Sequence, residues 1–362
     1  MSLKPQISVL MAVFNGEQYL GMAIDSILNQ TYSDFEFIII DDCSTDNTSE
    51  ILKSYHDERI KLLKNEINIG LTKSLNVGLN LAKGEYIARQ DADDISHSER
   101  LQLQLDFFRK NNDVMLLGTQ ARSIDEFGNL SYFPDFKPVS YEGVKYQLFF
   151  GNPFIHSTVM YRADIVKDEF GGYNESFRLS QDLELWSKII HKYKCMNLNA
   201  VCLDFRQNPS SVSKFKKANN AVYEENFKNN IAVGLSNLRL ISAEDFKEWP
   251  CLWIQLNVPY PRIVQVNAGK VFRLMSDLHE RSLIFSQVNP SELRVLAAIN
   301  FYYASRRMIK YSYWFSFLFF IKALRFNFSV LIYSLKALVR ICTSKIRSIK
   351  SSYPHFQKLQ QH

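Results

Sequence analysis

Short, nearly unbroken apolar runs alternate through the first hundred residues with segments whose apolar positions recur at helical spacing. Ile7–Val13 is such a run and ends at the turn Phe14-Asn15-Gly16, so it predicts a buried strand. Leu20, Ile24, Ile27 and Leu28 then repeat with the period of a helix. Phe37–Ile40 predicts a second strand, closed by Asp41-Asp42, with Ser44-Thr45-Asp46 placed to cap the helix that follows. Ile60–Leu63 is a weaker third strand. Gly70 precedes a helix with Leu71, Leu75 and Ala82 on one face, and Gly84 stops it. Glu85–Arg89 is a fourth strand, cut off by Asp91-Ala92-Asp93-Asp94, and Leu101, Leu105 and Phe108 mark the next helix.

Apolar strands alternating with helices predict an α/β fold with a mostly parallel central sheet covered on both faces. Ligands in such sheets bind beyond the carboxyl ends of the strands. The polar clusters Asn15-Gly16-Glu17, Asp41-Asp42 and Asp91–Asp94 all follow strands, so they are expected on one rim, as one site. The pattern loosens between residues 113 and 162, where shorter mixed strands and a helix near Tyr141–Phe150 are expected. Ser157–Tyr161 reads as a strand after the turn Gly151-Asn152-Pro153. Gln181–Tyr193 reads as a helix with Leu185, Ile189 and Tyr193 on one side. Beyond residue 210 the pattern is mostly helical.

Each acidic cluster has two readings. The DxD Asp91-Ala92-Asp93 follows a strand directly, and two carboxylates so close favour a divalent cation, magnesium or manganese, between them and a diphosphate. It also reads as a solvated acidic loop or a helix cap. Asp41-Asp42 suits a nucleotide base or ribose hydroxyl, or the cap of the helix near Asp46. Asp182, at a helix start with Glu184 and Trp186 behind it, suits removal of a proton from a hydroxyl, with Trp186 lining an acceptor pocket. Taken alone, it suits better a charge favoured by the helix dipole. His156 reads first as a satisfied core histidine, and second as a contact to diphosphate or metal.

The chain of 362 residues is 46% hydrophobic, enough for a sizeable core. Five cysteines, Cys43, Cys195, Cys202, Cys251 and Cys342, form no CxxC pair, which points away from zinc or a disulfide framework and towards a reducing compartment. The apolar run at Ile7 is too short for a signal peptide, so a cytoplasmic location is expected. The net charge of +6 is unevenly spread: residues 301–362 carry eleven Lys or Arg and no acid, leaving 32 basic and 37 acidic residues before them.

With these elements in place, the chain resembles the inverting glycosyltransferases of family 2 with the GT-A fold, above all those of bacterial O-antigen and capsule assembly. The resemblance rests on Ile7–Tyr19, Phe37–Thr48, Asn68–Gly84, Glu85–Leu101, Asn152–Arg162 and Gly171–Trp186, in the family's order. It implies a GT-A catalytic domain over residues 1–210. Asp42 with Asp41 would hold the uridine of a UDP-sugar, with Phe14 near the base and Glu17 close by. Ala12 and Arg89 would line the same nucleotide-sugar site. Asn68 and Gly70 would shape the nucleotide pocket and Lys73 would reach the diphosphate. Asp91 and Asp93 would form the metal motif for Mn2+ or Mg2+, with Asp93 the direct ligand. Asp182 matches the family's general base, while Gln181 stands where the family carries Glu. His156, Gln181 and Trp186 are the expected acceptor or diphosphate contacts. The expected acceptor is an undecaprenyl-diphosphate-linked glycan, with a protein or soluble glycan as the alternative. A non-catalytic nucleotide-sugar-binding subunit is disfavoured by Asp91, Asp93 and Asp182. A sugar nucleotidyltransferase is disfavoured because Phe14-Asn15-Gly16-Glu17 is not a Gly-rich basic loop.

Residues 211–300 are expected to form a helical extension and 301–362 a basic amphipathic tail. No run reaches the roughly 18 apolar residues of a spanning helix. As one continuous helix, Lys322, Arg325, Lys336, Arg340 and Arg347 share an arc, with Phe317, Phe320, Leu324, Leu331, Leu335 and Leu338 opposite. Such a helix fits an anionic membrane surface, placing the enzyme peripherally on the inner face of the cytoplasmic membrane. The alternative is packing on the catalytic domain. Nucleic acid is not expected, since no recognition motif accompanies the charge. The sequence carries no signal for oligomeric state.

Overall fold

The structure is a computed structural model that describes residues 4–131, 136–208, 220–238, 249, 268–282, 289–308 and 313–326. Its centre is a nine-stranded sheet, of which eight strands run in the order β3-β2-β1-β4-β8-β6-β9-β5 and the ninth, β7, pairs with β6. β1 (Ile7–Val13), β2 (Phe35–Asp41), β3 (Ile60–Lys64) and β4 (Tyr86–Arg89) form a parallel half. β5 (Ile95–Ser96), β6 (Val114–Ile124), β7 (Leu130–Ser131), β8 (Met160–Arg162) and β9 (Lys194–Arg206) form a mixed half.

The parallel half follows from side-chain alternation. Every residue of β1 and β2 is buried, and successive side chains enter opposite cores. Ile7, Val9, Met11 and Val13 pack with α1 (Leu20–Leu28) and α4 (Arg100–Lys110). Leu10, Ala12, Ile38 and Ile40 face the other way, onto α3 (Leu71–Leu81) and α6 (Gln181–Lys192). α3 lies so close that a Cβ on Gly78 would stand 2.3 Å from Leu10 Cδ1, so glycine is what lets the helix seat on β1. α2 (Thr48–Lys53) begins with Asp46 Oδ1 accepting from Thr48 N–H at 3.0 Å. β3 is mostly exposed, as its weak pattern implied.

The mixed half departs from expectation. β6 is a long strand where shorter pieces were expected, and it pairs in parallel, with register shifts, with the still longer β9, which carries no strand signal in the sequence. The stretch expected as a strand from Ser157 to Tyr161 opens instead as a tight turn, His156–Thr158, and the strand runs from Met160 to Arg162. Thr158 closes that turn by donating its N–H and its hydroxyl to Ile155 O, both at 2.8 Å.

α7 (Asn220–Leu238) packs on α6, where Ser187 and His191 meet Asn237, and a separate helical layer follows: α8 (Ala268–Ser282), α9 (Pro290–Met308) and α10 (Tyr313–Phe326). Its core contains Val271, Met275, Leu278, Leu293, Leu296, Phe301 and Phe319, joined by Tyr146, Phe149 and Phe150 from the end of α5 (Tyr141–Gln147) and the turn after it. α9 runs straight through the boundary expected at residue 300, because Phe301, Tyr302 and Ala304 are buried alongside Leu293 and Leu296.

The tail expectation is corrected where it falls on described residues. Phe320 and Leu324 pack against the helical core, while Trp314 and Phe317 face outward at 65% and 53% exposure. Lys322 lies over the rings of Phe272 and Phe301 rather than on a solvated basic face. Packing on α8 and α9 fixed which side of α10 turns inward, and a lone helical wheel lacks that information. Leu331, Leu335, Lys336, Leu338, Arg340 and Arg347 lie outside the described residues. Among the described residues, no helix is long and apolar enough to cross a membrane.

Glu292 of α9 couples the two layers. Its Oε1 accepts from the backbone N–H of Val139 at 2.5 Å and of Ser140 at 3.0 Å, at the start of α5. Replacing Glu292 with Ala is expected to lower unfolding stability by about 1.5–3 kcal/mol, the scale of hydrogen bonds to a charged acceptor. Urea unfolding checks this, and an unchanged midpoint would show that the clamp contributes nothing.

Candidate active site

The loops after β1, β2 and β4 meet on one rim, as the strand pattern implied. Asn15 N–H donates to Ser44 Oγ, Gly16 N–H to Thr48 Oγ1 and Glu17 N–H to Asp46 Oδ2. In return Glu17 Oε2 accepts from Asn47 N–H and Nδ2, and Asn15 Oδ1 accepts from Thr45 N–H. These bonds zip the first loop to the second and leave Phe14 half exposed at the edge. Ala12 is buried in β1 below it.

Asp41 and Asp42 are both buried and already engaged by the chain. Asp41 accepts from Ser44 N–H and Ser49 Oγ. Burial pushes its pKa up, but those serine bonds and the nearby Lys64 outweigh it and hold the carboxyl below its usual range. Asp42 Oδ1 accepts from Ile69 N–H at 2.9 Å and Asn65 Nδ2 at 2.8 Å, and Oδ2 from Gly70 N–H at 2.8 Å. The carboxylate thus pins the loop that carries Asn68 and delivers α3. Gly70 has φ of +89°, a conformation that favours glycine. Asn68 and Lys73 are exposed on that loop and helix.

Three aspartates crowd the end of β4. Arg89, wholly buried, donates from Nη2 to Asp91 Oδ1 and from Nη1 to Leu10 O and Gln90 O. Arg100, also wholly buried, braces the strand from behind through Gln90 Oε1, Ser96 Oγ and Arg89 O. Ser157 Oγ lies 2.5 Å from both Asp91 Oδ2 and Asp94 Oδ2. Arg206, at the end of β9, donates its N–H to Asp94 Oδ1 and its Nε–H to Asp93 O, while its guanidinium covers the Tyr19 ring at 4.3 Å. Asp93 Oδ2 accepts from Asn208 Nδ2 at 3.2 Å.

Electrostatics separates the three. Burial raises Asp91, but the Arg89 charge, His156 and the Ser157 bond bring it below the usual range. Asp93 lies above that range, first through burial and then through repulsion by Asp91. Burial, then Asp93 and Asp91, lift Asp94 further. Both Asp91 oxygens already carry a bond and Asp93 only a long one at Oδ2, so Asp93 has the greater capacity left for a cation. Among the described residues no group of three His, Cys, Asp or Glu side chains could hold a metal ion. One or two carboxylates completed by phosphate oxygens is how magnesium commonly binds, so the residues present fit a cation shared with a diphosphate.

Asp182 stands half-buried in the first turn of α6 and accepts from Asn152 Nδ2 at 2.6 Å. His156 lies between the two carboxylate groups. Burial and then Arg89 push its pKa down, while Asp91 and Asp182 pull it up, and the net is below the ordinary value. Its Nε2 pairs with the Tyr173 hydroxyl at 3.1 Å. His156 is therefore both a partnered histidine and a neighbour of the acidic groups. Gln181 is buried beside Asp182. Trp186 corrects the expectation of a pocket wall: it has no exposed surface and packs among Phe154, His156, Tyr161 and Tyr173. It shares the Asp182 face of the helix but lies one turn deeper. The sequence reading passed over Asn152, Ser157, Arg100 and Arg206, whose roles arise from contacts between distant segments.

Backbone strain concentrates here too. Among the described residues, the non-glycine positions with positive φ are Asn15, Cys43 and Ser180, which adjoin the β1 loop, Asp42 and α6 respectively.

Comparisons with known proteins agree with this geometry. The family described as Glycosyl transferase family 2 matches residues 8–170. The O-antigen biosynthesis glycosyltransferase WbnJ of Escherichia coli is 36% identical over 59% of this chain and 85% of its own length. The UDP-Glc:alpha-D-GlcNAc-diphosphoundecaprenol beta-1,3-glucosyltransferase WfgD of Escherichia coli is 30% identical over 58% of this chain and 81% of its own. The crystal structure of S. aureus TarS 1-349 in complex with UDP-GlcNAc shares the fold, with a TM-score of 0.57 and 18% identity over 85% of this chain and 89% of that one. The chain belongs to glycosyltransferase family 2 and has a GT-A-like fold with a helical C-terminal region.

Asp42→Ala removes the acceptor for three donors of the 65–70 loop. A stability loss of about 2–3 kcal/mol is expected from such buried donors left unpaired. Urea unfolding checks it, and an unchanged midpoint would show that the loop does not depend on this carboxylate.

Proposed function

We propose that this glycosyltransferase moves a single sugar from a UDP-sugar to a hydroxyl of a lipid-linked oligosaccharide, with inversion, in surface polysaccharide assembly. The observation that carries the reading is that one short segment, Asn152–Ser157, touches both acids: Asn152 Nδ2 donates to Asp182 Oδ2, and Ser157 Oγ bonds Asp91 Oδ2 at the end of β4. A base and a diphosphate-binding group are needed together at the reacting carbon, and this rim offers both.

In this reading the loops after β1 and β2, with Phe14, Glu17, Asp41 and Asp42, surround the nucleoside, and the loop bearing Asn68 and Gly70 closes over it. Lys73 offers a positive charge to the diphosphate. Asp91 and Asp93 would hold a Mn2+ or Mg2+ ion, which offsets charge on the leaving diphosphate when bound. Asp182 accepts the proton of the acceptor hydroxyl as its oxygen attacks the anomeric carbon, and UDP leaves from the opposite side. One displacement turns an α-linked donor into a β-linked product, and the chain forms no covalent bond to the sugar.

The lipid-linked acceptor is favoured by the WfgD name, which specifies a diphosphoundecaprenol acceptor for that protein. An acceptor of this kind lies at a membrane surface. The exposed Trp314 and Phe317 of α10, in the basic segment after residue 301, suit peripheral contact with the anionic inner face of the cytoplasmic membrane. α9 and the first part of the tail belong to the helical core, so a cut at residue 301 would damage packing. Truncation after Phe326 keeps every described residue of that core. It is expected to shift part of the protein from membrane to soluble fractions, and unchanged fractionation would remove the segment beyond Phe326 as an anchor.

Activity is tested by UDP release from a panel of UDP-sugars with Mn2+ and a synthetic GlcNAc-diphospho-lipid acceptor. Turnover of one donor is expected, lost with EDTA and reduced at least about 10²-fold in Asp93→Ala and Asp182→Ala, the scale of a general base or a metal ligand. Retained anomeric configuration in the product, read by NMR, would overturn the inverting mechanism.

A further inference from the structure

We propose that Asn152 is a positioning residue for Asp182, presenting its carboxylate to the acceptor hydroxyl by a hydrogen bond that adds no charge. The inference rests on Asp182 being the base.

The orientation of the Asn152 amide is fixed by its own turn. Asn152 Oδ1 accepts from Phe154 N–H at 3.1 Å, closing a local Asx turn. The carbonyl end is therefore spent on the backbone, and the NH2 end must point away from it. It points at Asp182 Oδ2, 2.6 Å distant. A flipped amide would face the Phe154 N–H with a donor and the Asp182 carboxylate with an oxygen, losing both bonds. Among the described residues, Asn152 is the donor that reaches this carboxylate. With Oδ2 engaged, Oδ1 is the oxygen available to an acceptor.

The turn is held on both sides. Before it, Phe149 and Phe150 are buried in the helical core with Trp249, whose Nε1–H donates to Phe149 O at 2.9 Å. After it, Phe154 is buried in the sheet core, edge-on to Trp186 with ring centroids 6.5 Å apart. Asn197 Nδ2 donates to Pro153 O, and Lys137 Nζ to Asn152 O. Trp186 lies on α6, the helix that carries Asp182, so the donor and the carboxylate are anchored to the same aromatic cluster. Surface loops seldom have this much support, and the result is a fixed distance between amide and acid.

A bond made only to orient the base acts on the chemical step more than on donor binding. Three variants separate the possibilities, each assayed with the UDP-sugar and synthetic lipid acceptor above. Asn152→Asp keeps the shape but replaces the donor with an oxygen. Its kcat is expected to fall on the order of 10²-fold at neutral pH. KM for the donor and calorimetric UDP affinity should stay within about twofold, because interactions made only in the transition state leave binding unchanged. Its activity should recover as pH falls, since a proton shared by the two acids restores an O–H···O bond. Asn152→Ala should lose kcat with no such recovery. If Asn152→Asp turns over like the wild type, or loses melting temperature and UDP affinity in step with kcat, Asn152 is not a positioning residue. Asp182→Asn tests the underlying reading: an active Asp182→Asn removes both ideas. An inactive one beside a normal Asn152→Asp removes only this one. A wild type silent with every UDP-sugar in the panel also removes both.

Discussion

Asp91, Asp93 and Asp94 fall within four residues at the end of one strand, and each is at least partly buried. Two like charges about 4 Å apart repel by roughly 4 kcal/mol at an effective dielectric near 20, so three together need support from their surroundings. The support comes from the two buried arginines, from a serine hydroxyl and from the end of β9. Arg89 binds Asp91 directly, and Arg100 holds the Arg89 and Gln90 backbone and side chains from behind. Ser157 bridges Asp91 and Asp94, and the Arg206 N–H takes the other oxygen of Asp94. Asp93 keeps the least compensation, and its charge is disfavoured by burial and by Asp91. This imbalance makes Asp93 the least compensated carboxylate of the three.

The rest of the rim is rigid for related reasons. The β1 and β2 loops exchange backbone and side-chain bonds, so neither moves alone. Asp42, which a sequence reading assigns to the nucleotide, is saturated by the 65–70 loop. What the structure gives Asp42 is the shaping of that loop. The helical layer has a structural role in the same site. Glu292 binds the start of α5, Gln147 at its end pairs with Asn300, and the chain then passes through Phe149 and Phe150 to Asn152. A continuous run of packing thus leads from α9 to the side chain that touches Asp182.

The parallel half and its acidic clusters were legible because they obey local rules. β1 has the bounds that its apolar run implied, and Asp41, Asp42, Asp91 and Asp93 follow strands that are apolar on both faces. β9 was not legible, because buried and exposed positions alternate irregularly along Lys194–Arg206 and polar residues interrupt it. Arg206 was missed with it, having no meaning until β9 is placed beside the β4 loop. Ser157 was hidden for another reason: its hydroxyl acts across more than sixty residues of sequence. Trp186 was misjudged because a shared helix face gives direction without depth. The tail shows the same limit, since an apolar face can be satisfied by α8 and α9 as well as by lipid.

Gln181 gains meaning from this charge balance. The family resemblance places an acid at this position, but here the side chain is a buried amide next in sequence to Asp182. A second carboxylate here would face no guanidinium of its own, since Arg89 is committed to Asp91 and Arg100 to the strand behind it. The groups that do approach Asp182 are an amide from Asn152 and a histidine kept toward its neutral form by burial and Arg89. A neutral donor orients a carboxylate with a smaller bias towards the charged form than a cation would impose. A cation in the same position would bind more strongly but would hold the base in its charged form and weaken it. Positive charge gathers at the end of β4, where Arg89 and Arg100 are buried, whereas the hydrogen bond that reaches Asp182 comes from a neutral amide.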